Sequence, residues 1–105
     1  MAFNERLATR LRKLLPQATE RRMFGGIGLM ERGHLVAGVL GDDLIVRVPA
    51  EETAQWLARP GTRAMVAARP MRGWVRVAGR SVARAPELAA WVERSRDVTR
   101  RLPPK

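Results

Sequence analysis

Residues 21–30 read Arg21-Arg22-Met23-Phe24-Gly25-Gly26-Ile27-Gly28-Leu29-Met30, or RRMFGGIGLM. Three glycines stand inside an apolar run, directly behind two arginines. Such a composition suits a phosphate cradle, and it also suits a strand onto which something packs closely. A phosphate loop needs G-x-x-x-x-G-K-[ST], whose lysine and hydroxyl act on phosphate and Mg²⁺. Neither follows these glycines. A dinucleotide fingerprint needs G-x-G-x-x-G running into a helix N-terminus. Here Gly26 and Gly28 lead to Leu29-Met30-Glu31-Arg32-Gly33, a turn, and then another strand. Without a helix end there is no dipole to hold pyrophosphate. The stretch is therefore expected to be the first strand of a meander. Glycine inside a strand marks a bulge, or a place where a backbone or bulky ring comes close. Alternation puts Gly26 and Gly28 on one face with Arg22 and Phe24, and Gly25 on the other with Met23, Ile27 and Leu29. The glycine groove is then placed to receive a tryptophan or a helix.

The flanking segments extend this reading. Upstream, NERLATRLRKLL carries Leu7, Leu11, Leu14 and Leu15 at helical spacing, with Asn4 as N-cap and Pro16 as the stop. Downstream, HLVAGVL and LIVRV (44–48) are short strands separated by the turn Gly41-Asp42-Asp43. In LIVRV, Leu44, Val46 and Val48 take one face and Ile45 and Arg47 the other. Pro49 opens a helix, PAEETAQWLA, with Glu51 and Glu52 at its positive end. Residues 61–70, GTRAMVAARP, read either as a loop or as a poorly regular strand. MRGWVRVAG alternates, with Val75 and Val77 on one face and Arg72, Trp74 and Arg76 on the other. A last helix begins at Pro86-Glu87, with Leu88, Trp91, Val92, Ser95 and Val98 or Thr99 at helical spacing. The expected order is α-β-β-β-α-β-β-α. That is a two-layer α+β fold, an antiparallel sheet flanked by N-terminal, middle and C-terminal helices, in a single domain over residues 1–105.

The 105 residues are enough for one sizeable core, and 46% of them are hydrophobic. There is no cysteine, which excludes disulfides, thiolate metal sites and cysteine nucleophiles. No apolar run approaches the ~20 residues of a membrane span, and the N-terminus lacks the apolar core of a secretory signal. A cytoplasmic setting is expected. The formal net charge is +10, from 20 basic and 10 acidic residues, and all the basic residues except Lys13 and Lys105 are arginine. A basic surface attracts polyanions. A genome biased toward G and C also yields arginine- and alanine-rich chains.

Catalytic signatures are missing. The one histidine, His34, has no partner at metal-ligand spacing. Ser81 and Ser95 lie outside any G-x-S-x-G elbow. Asp42-Asp43 sits on a turn and lacks the oxygen-ligand alternation of a calcium loop. No enzyme activity, cofactor, metal, membrane or small-molecule substrate is expected.

From RRMFGGIGLM onward the chain resembles the N-terminal domain of the TfoX/Sxy family, bacterial regulators linked to natural competence. The resemblance continues through GDDLIVRV (41–48), RPMRGWVRV (69–77) and PELAAWVERSRDV (86–98). The tail RLPPK resembles that of short, stand-alone members. Met23, Phe24, Gly25 and Gly26 form its most specific step, together with Met71, Gly73 and Trp74; Trp91 belongs to the third stretch. The resemblance implies an antiparallel sheet with flanking helices. It also implies regulation, since better-known members are transcriptional co-activators that work with a cAMP-responsive regulator at competence promoters. Those members carry a second, helical domain, for which this chain has no room after residue 98. The family offers no established catalytic residues to carry over.

Two functions follow as expectations. In the first, the protein binds nucleic acid and/or a partner regulator. Arg72, Trp74 and Arg76 form the contact face, continued by Arg47, Arg22 and Arg21 on neighbouring strands, with arginine on phosphate and tryptophan on a base. Trp74 buried under a helix would remove that platform. In the second, the protein is an interaction or dimerisation module without nucleic-acid contact. Its docking patch would include Ile45 and Trp74 on the sheet's second face.

Overall fold

RRMFGGIGLM forms two strands joined by a turn. In the computed structural model, which describes residues 3–105, the chain reverses at Phe24-Gly25, between β1 (Thr19–Met23) and β2 (Gly26–Glu31). Both turn residues are left-handed, with φ of 43° at Phe24 and 81° at Gly25. Two successive positive φ angles suit a two-residue hairpin, because the loop's twist then matches that of the strands. Asn-Gly or Asp-Gly is the usual signal for such a turn. Phenylalanine rarely adopts positive φ, so only the glycine half of the signal is present.

The hairpin changes which residues share a face. Arg22 pairs with Ile27, and Met23 pairs with Gly26. Met23 therefore joins Gly26 and Gly28, while Arg22 joins Ile27 and Leu29. The alternation expected for a single unbroken strand placed these two residues the other way round.

The remaining elements are α1 (Glu5–Leu14), β3 (His34–Leu40), β4 (Asp43–Arg47), α2 (Thr53–Leu57), β5 (Thr62–Val66), β6 (Pro70–Val77) and α3 (Ala85–Arg100). The six strands lie in the order β1-β2-β3-β4-β6-β5, and every neighbouring pair is antiparallel. The α+β class and the three flanking helices are those expected from the sequence. The split of RRMFGGIGLM adds one strand before α2. The ambiguous stretch 61–70 resolves into β5, a short loop and the start of β6.

All three helices lie on one face of the sheet. Leu7, Ala8 and Leu11 of α1, Trp56 of α2, and Leu88, Trp91 and Val92 of α3 share one core with Ile27, Leu29, Val39, Leu44, Val46, Val75 and Val77. Asn4 caps α1 as expected, its Oδ1 accepting the Leu7 N–H at 3.1 Å. The middle helix is shorter than PAEETAQWLA implies, because Ala50–Glu52 winds as a 3₁₀ turn before α2 begins. At this junction the Thr53 hydroxyl donates to the Ala50 carbonyl at 2.7 Å and accepts the Gly73 N–H at 2.8 Å. Trp56 and Trp91 meet edge-to-face, 5.3 Å between centroids. Arg94 lies 3.9 Å from the Trp56 centroid and 4.7 Å from that of Trp91. Burial lowers the pKa of Arg94, and the nearby Arg59 adds to the effect.

Ser95 pins the two layers together. It is fully buried; its hydroxyl donates to the Val36 carbonyl of β3 and accepts the Arg47 N–H of β4 at 2.9 Å. Among the described residues, no helix is long and apolar enough to cross a membrane.

Candidate functional site

The face of the sheet without helices holds the candidate site. A groove of about 320 Å³ runs among Met23, Phe24, Met30, Leu35, Ile45, Arg47, Met65, Met71 and Trp74, with Gly33 and Lys105 at one end. Every methionine except Met1 contributes to it. Thioethers are flexible and polarisable, so they fit irregular apolar partners. Ile45 and Met65 are buried by their neighbours in the groove although both lie outside the main core.

Glycine shapes the groove floor. A Cβ on Gly28 would stand 2.7 Å from Leu35 Cδ1 and 2.8 Å from Met23 Sδ. One on Gly38 would stand 3.0 Å from Phe24 Cζ. The glycines of this face thus receive methionine, leucine and phenylalanine side chains from within the sheet. The tryptophan or helix expected to fill the groove is not their occupant.

Arg47 and Trp74 are opposite each other on β4 and β6. The Arg47 guanidinium carbon stands 4.8 Å from the Trp74 ring centroid. Arg47 makes no ion pair among the described residues, and its Nε is buried without a hydrogen-bond partner. Burial pulls its pKa below the ordinary arginine value. At the other end of the same strand, Asp43 accepts from Arg76 Nη2 at 2.8 Å and from Arg63 Nη2 at 2.7 Å. The Asp42-Asp43 pair is therefore occupied by side chains: Asp42 accepts from Asn4 Nδ2 at 3.2 Å.

The six residues singled out as a nucleic-acid face are only partly brought together. Arg47, Trp74 and Arg76 share the open face, as alternation predicts, and Arg76 is neutralised by Asp43. Arg21 also belongs to this face, opposite Gly28 on the edge strand β1. Arg22 does not belong to it. The hairpin register sends it to the helix side, 6.0 Å from the Phe3 ring centroid. Arg72 is exposed but stands outside the row. Gly73 has a φ of 88°, which interrupts the alternation and brings Met71 beside Trp74 instead. Trp74 is half-buried under Arg47, on the face that no helix covers.

The remaining basic residues are spread over both faces. Arg6, Arg10 and Arg80 line a second cavity of about 500 Å³ together with Asn4 and Asp42. Arg10 is held there by the Val82 and Ala83 carbonyls at 2.8 and 3.2 Å. Arg12 bridges Glu5 and Glu20, and Arg96 bridges Glu31 and Glu93. His34 is buried, with Nε2 donating to the Pro103 carbonyl at 2.7 Å, so it anchors the C-terminal tail. Among the described residues, no group of three or more His, Cys, Asp or Glu side chains comes together to hold a metal ion.

Sequence reasoning found Ile45, Arg47 and Trp74 in the groove but missed Met30, Leu35, Met65 and Met71. Those four come from four different strands. The available signal was that the methionines between Met23 and Met71 all fall in strands.

These features define a small two-layer α+β domain with helices on one side and, on the other, a methionine-lined groove that holds Arg47 and is closed at one end by Lys105. The family model for the TfoX N-terminal domain matches residues 9–98, from within α1 to within α3, and the chain belongs to that family. At the level of the family it is a TfoX-like regulatory protein. No curated protein and no solved structure matches the chain.

Proposed function

We propose that this protein is a non-enzymatic regulator that works in the cytoplasm by docking a protein partner on the open face of its sheet. The observation that carries this reading is the groove itself: an apolar, methionine-lined surface on a face the chain leaves uncovered. Methionine-rich surfaces suit protein partners because their side chains repack around different shapes. Direct recognition of bases fits less well. Arg47 occupies the ring face of Trp74 that a base would need, and Asp43 already neutralises Arg76.

Affinity capture with paired variants tests the reading. Phe24→Asn and Met71→Ser together remove apolar surface, and asparagine tolerates the left-handed turn. Captured protein should be lost with this double variant and retained with Arg6→Ala/Arg80→Ala. Retention with both variants would overturn the groove as the docking site.

Duplex DNA is the second reading, favoured by Arg6, Lys13 and Arg80, which have no carboxylate partner among the described residues. Polarisation titrations across salt should then show binding that weakens steeply with ionic strength and with Arg6→Ala/Arg80→Ala. Absence of binding at low salt removes this reading.

A further inference from the structure

Inside the groove stands a guanidinium that no acidic side chain of the fold pairs. Arg47 Nε is buried without an acceptor, the guanidinium is stacked on Trp74, and no acidic side chain lines the cavity. A buried donor without a partner calls for an acceptor, and an incoming ligand can supply one. We infer that the groove takes an amphipathic helix of the partner protein whose apolar face carries one acidic residue, its carboxylate seated on Arg47. The inference rests on the protein-docking reading and names the chemistry of the docked segment.

Size and charge both argue for this occupant. The lining residues come from β1 at one sheet edge to β5 at the other. Five inter-strand steps of ~4.8 Å make roughly 24 Å, the length of a helix of about 16 residues. A second copy of this chain fits poorly, since facing grooves would bring Arg47 against Arg47 with no acidic side chain between them. Nucleic acid fits poorly as well, because methionine walls offer phosphates no donors. A carboxylate on a helix supplies the acceptor, and the surrounding leucine-type side chains fill the apolar walls. This is the helix-in-groove mode of recognition.

Three fluorescein-labelled 16-residue amphipathic peptides test it. All carry leucine on the apolar face, with Glu, Gln or Lys at its centre, and all are titrated by polarisation against the wild type, Arg47→Met and Arg47→Lys. The Glu peptide should bind the wild type at least about tenfold more tightly than the Gln peptide, as a charge-assisted hydrogen bond implies, and the Lys peptide most weakly. Arg47→Met should erase the preference and Arg47→Lys restore part of it. Equal affinities for the Glu and Gln peptides, or a preference that survives Arg47→Met, overturn the inference. So does no binding by any peptide up to millimolar concentration. Should Arg47→Met not fold, Trp74→Leu, which removes the stacking platform, should reduce the preference, and an unchanged preference overturns the inference. Equal binding that is lost in Phe24→Asn/Met71→Ser leaves protein docking standing and removes only the acidic residue. Displacement of the peptides by dodecanoate at equal concentration, or dimerisation through the groove on sedimentation, assigns a different occupant and overturns the helix.

Discussion

Gly25 and Gly26 are adjacent, yet the same added methyl group meets different obstacles at each. At Gly25 a Cβ would find nothing within 4 Å, so only the φ of 81° resists substitution. At Gly26 the Cβ would run into the Val39 carbonyl of the neighbouring strand. Gly25→Ala should therefore cost about 1 kcal/mol, and Gly25→Asn less. Gly26→Ala should cost about 3 kcal/mol, because backbone on both sides must move. Urea unfolding of the two alanine variants measures the gap, and equal values would contradict the hairpin. Ser95→Ala should cost about 2 kcal/mol in the same assay, since it leaves the Arg47 N–H and the Val36 carbonyl buried without their partner. The sequence was informative here to different degrees. Helical spacing placed Ser95 on the stripe with Leu88, Trp91 and Val92 without revealing its hydrogen bonds, and the glycines of RRMFGGIGLM announced close packing. What packs on them was hidden, because the turn hinges on a phenylalanine at positive φ.

Elements bounded by strong local chemistry were the readable ones. The Asn4 cap and the leucine stripe placed α1, and Pro86-Glu87 placed the start of α3. β5 was not readable, because the faces of TRAMV are set by pairing with β6 and not by its own alternation. Gly73 hid the exchange of Arg72 for Met71, since a bulge shifts the period without changing the residue types. Between elements, Arg12 ties α1 to β1 through Glu20, with Nε and Nη2 donating at 2.9 and 3.0 Å. These hydrogen bonds hold the Glu20 carboxyl below the ordinary value of 4.5. A depressed carboxyl favours the folded state above the unfolded value, and that contribution fades as pH falls through the folded one. Both side chains are exposed, so the effect on stability is small. The clear readout is a carboxyl NMR titration: Arg12→Gln should return Glu20 to the ordinary glutamate range, and an unmoved titration would show that the bridge does not persist in solution.

Across the whole molecule, the helical cover on one side separates two populations of apolar residues. Those facing the helices hold the fold together. Those facing the open side line the groove, and apart from Ile45 and Met65 they remain partly or well exposed. Sequence alternation told the two sides apart in β4 and in the Trp74–Val77 part of β6, but only the assembled sheet could gather side chains from six strands into one surface. The division makes the domain a natural scaffold. A library randomised at Met23, Met30, Leu35 and Met71 should retain cooperative thermal unfolding in most members, whereas one randomised at Leu11, Val39, Leu44 and Val75 should lose it in most. Equal losses from the two libraries would show that the open face also supports the fold. If the libraries diverge as expected, the specificity of this domain can change almost freely while its architecture stays fixed.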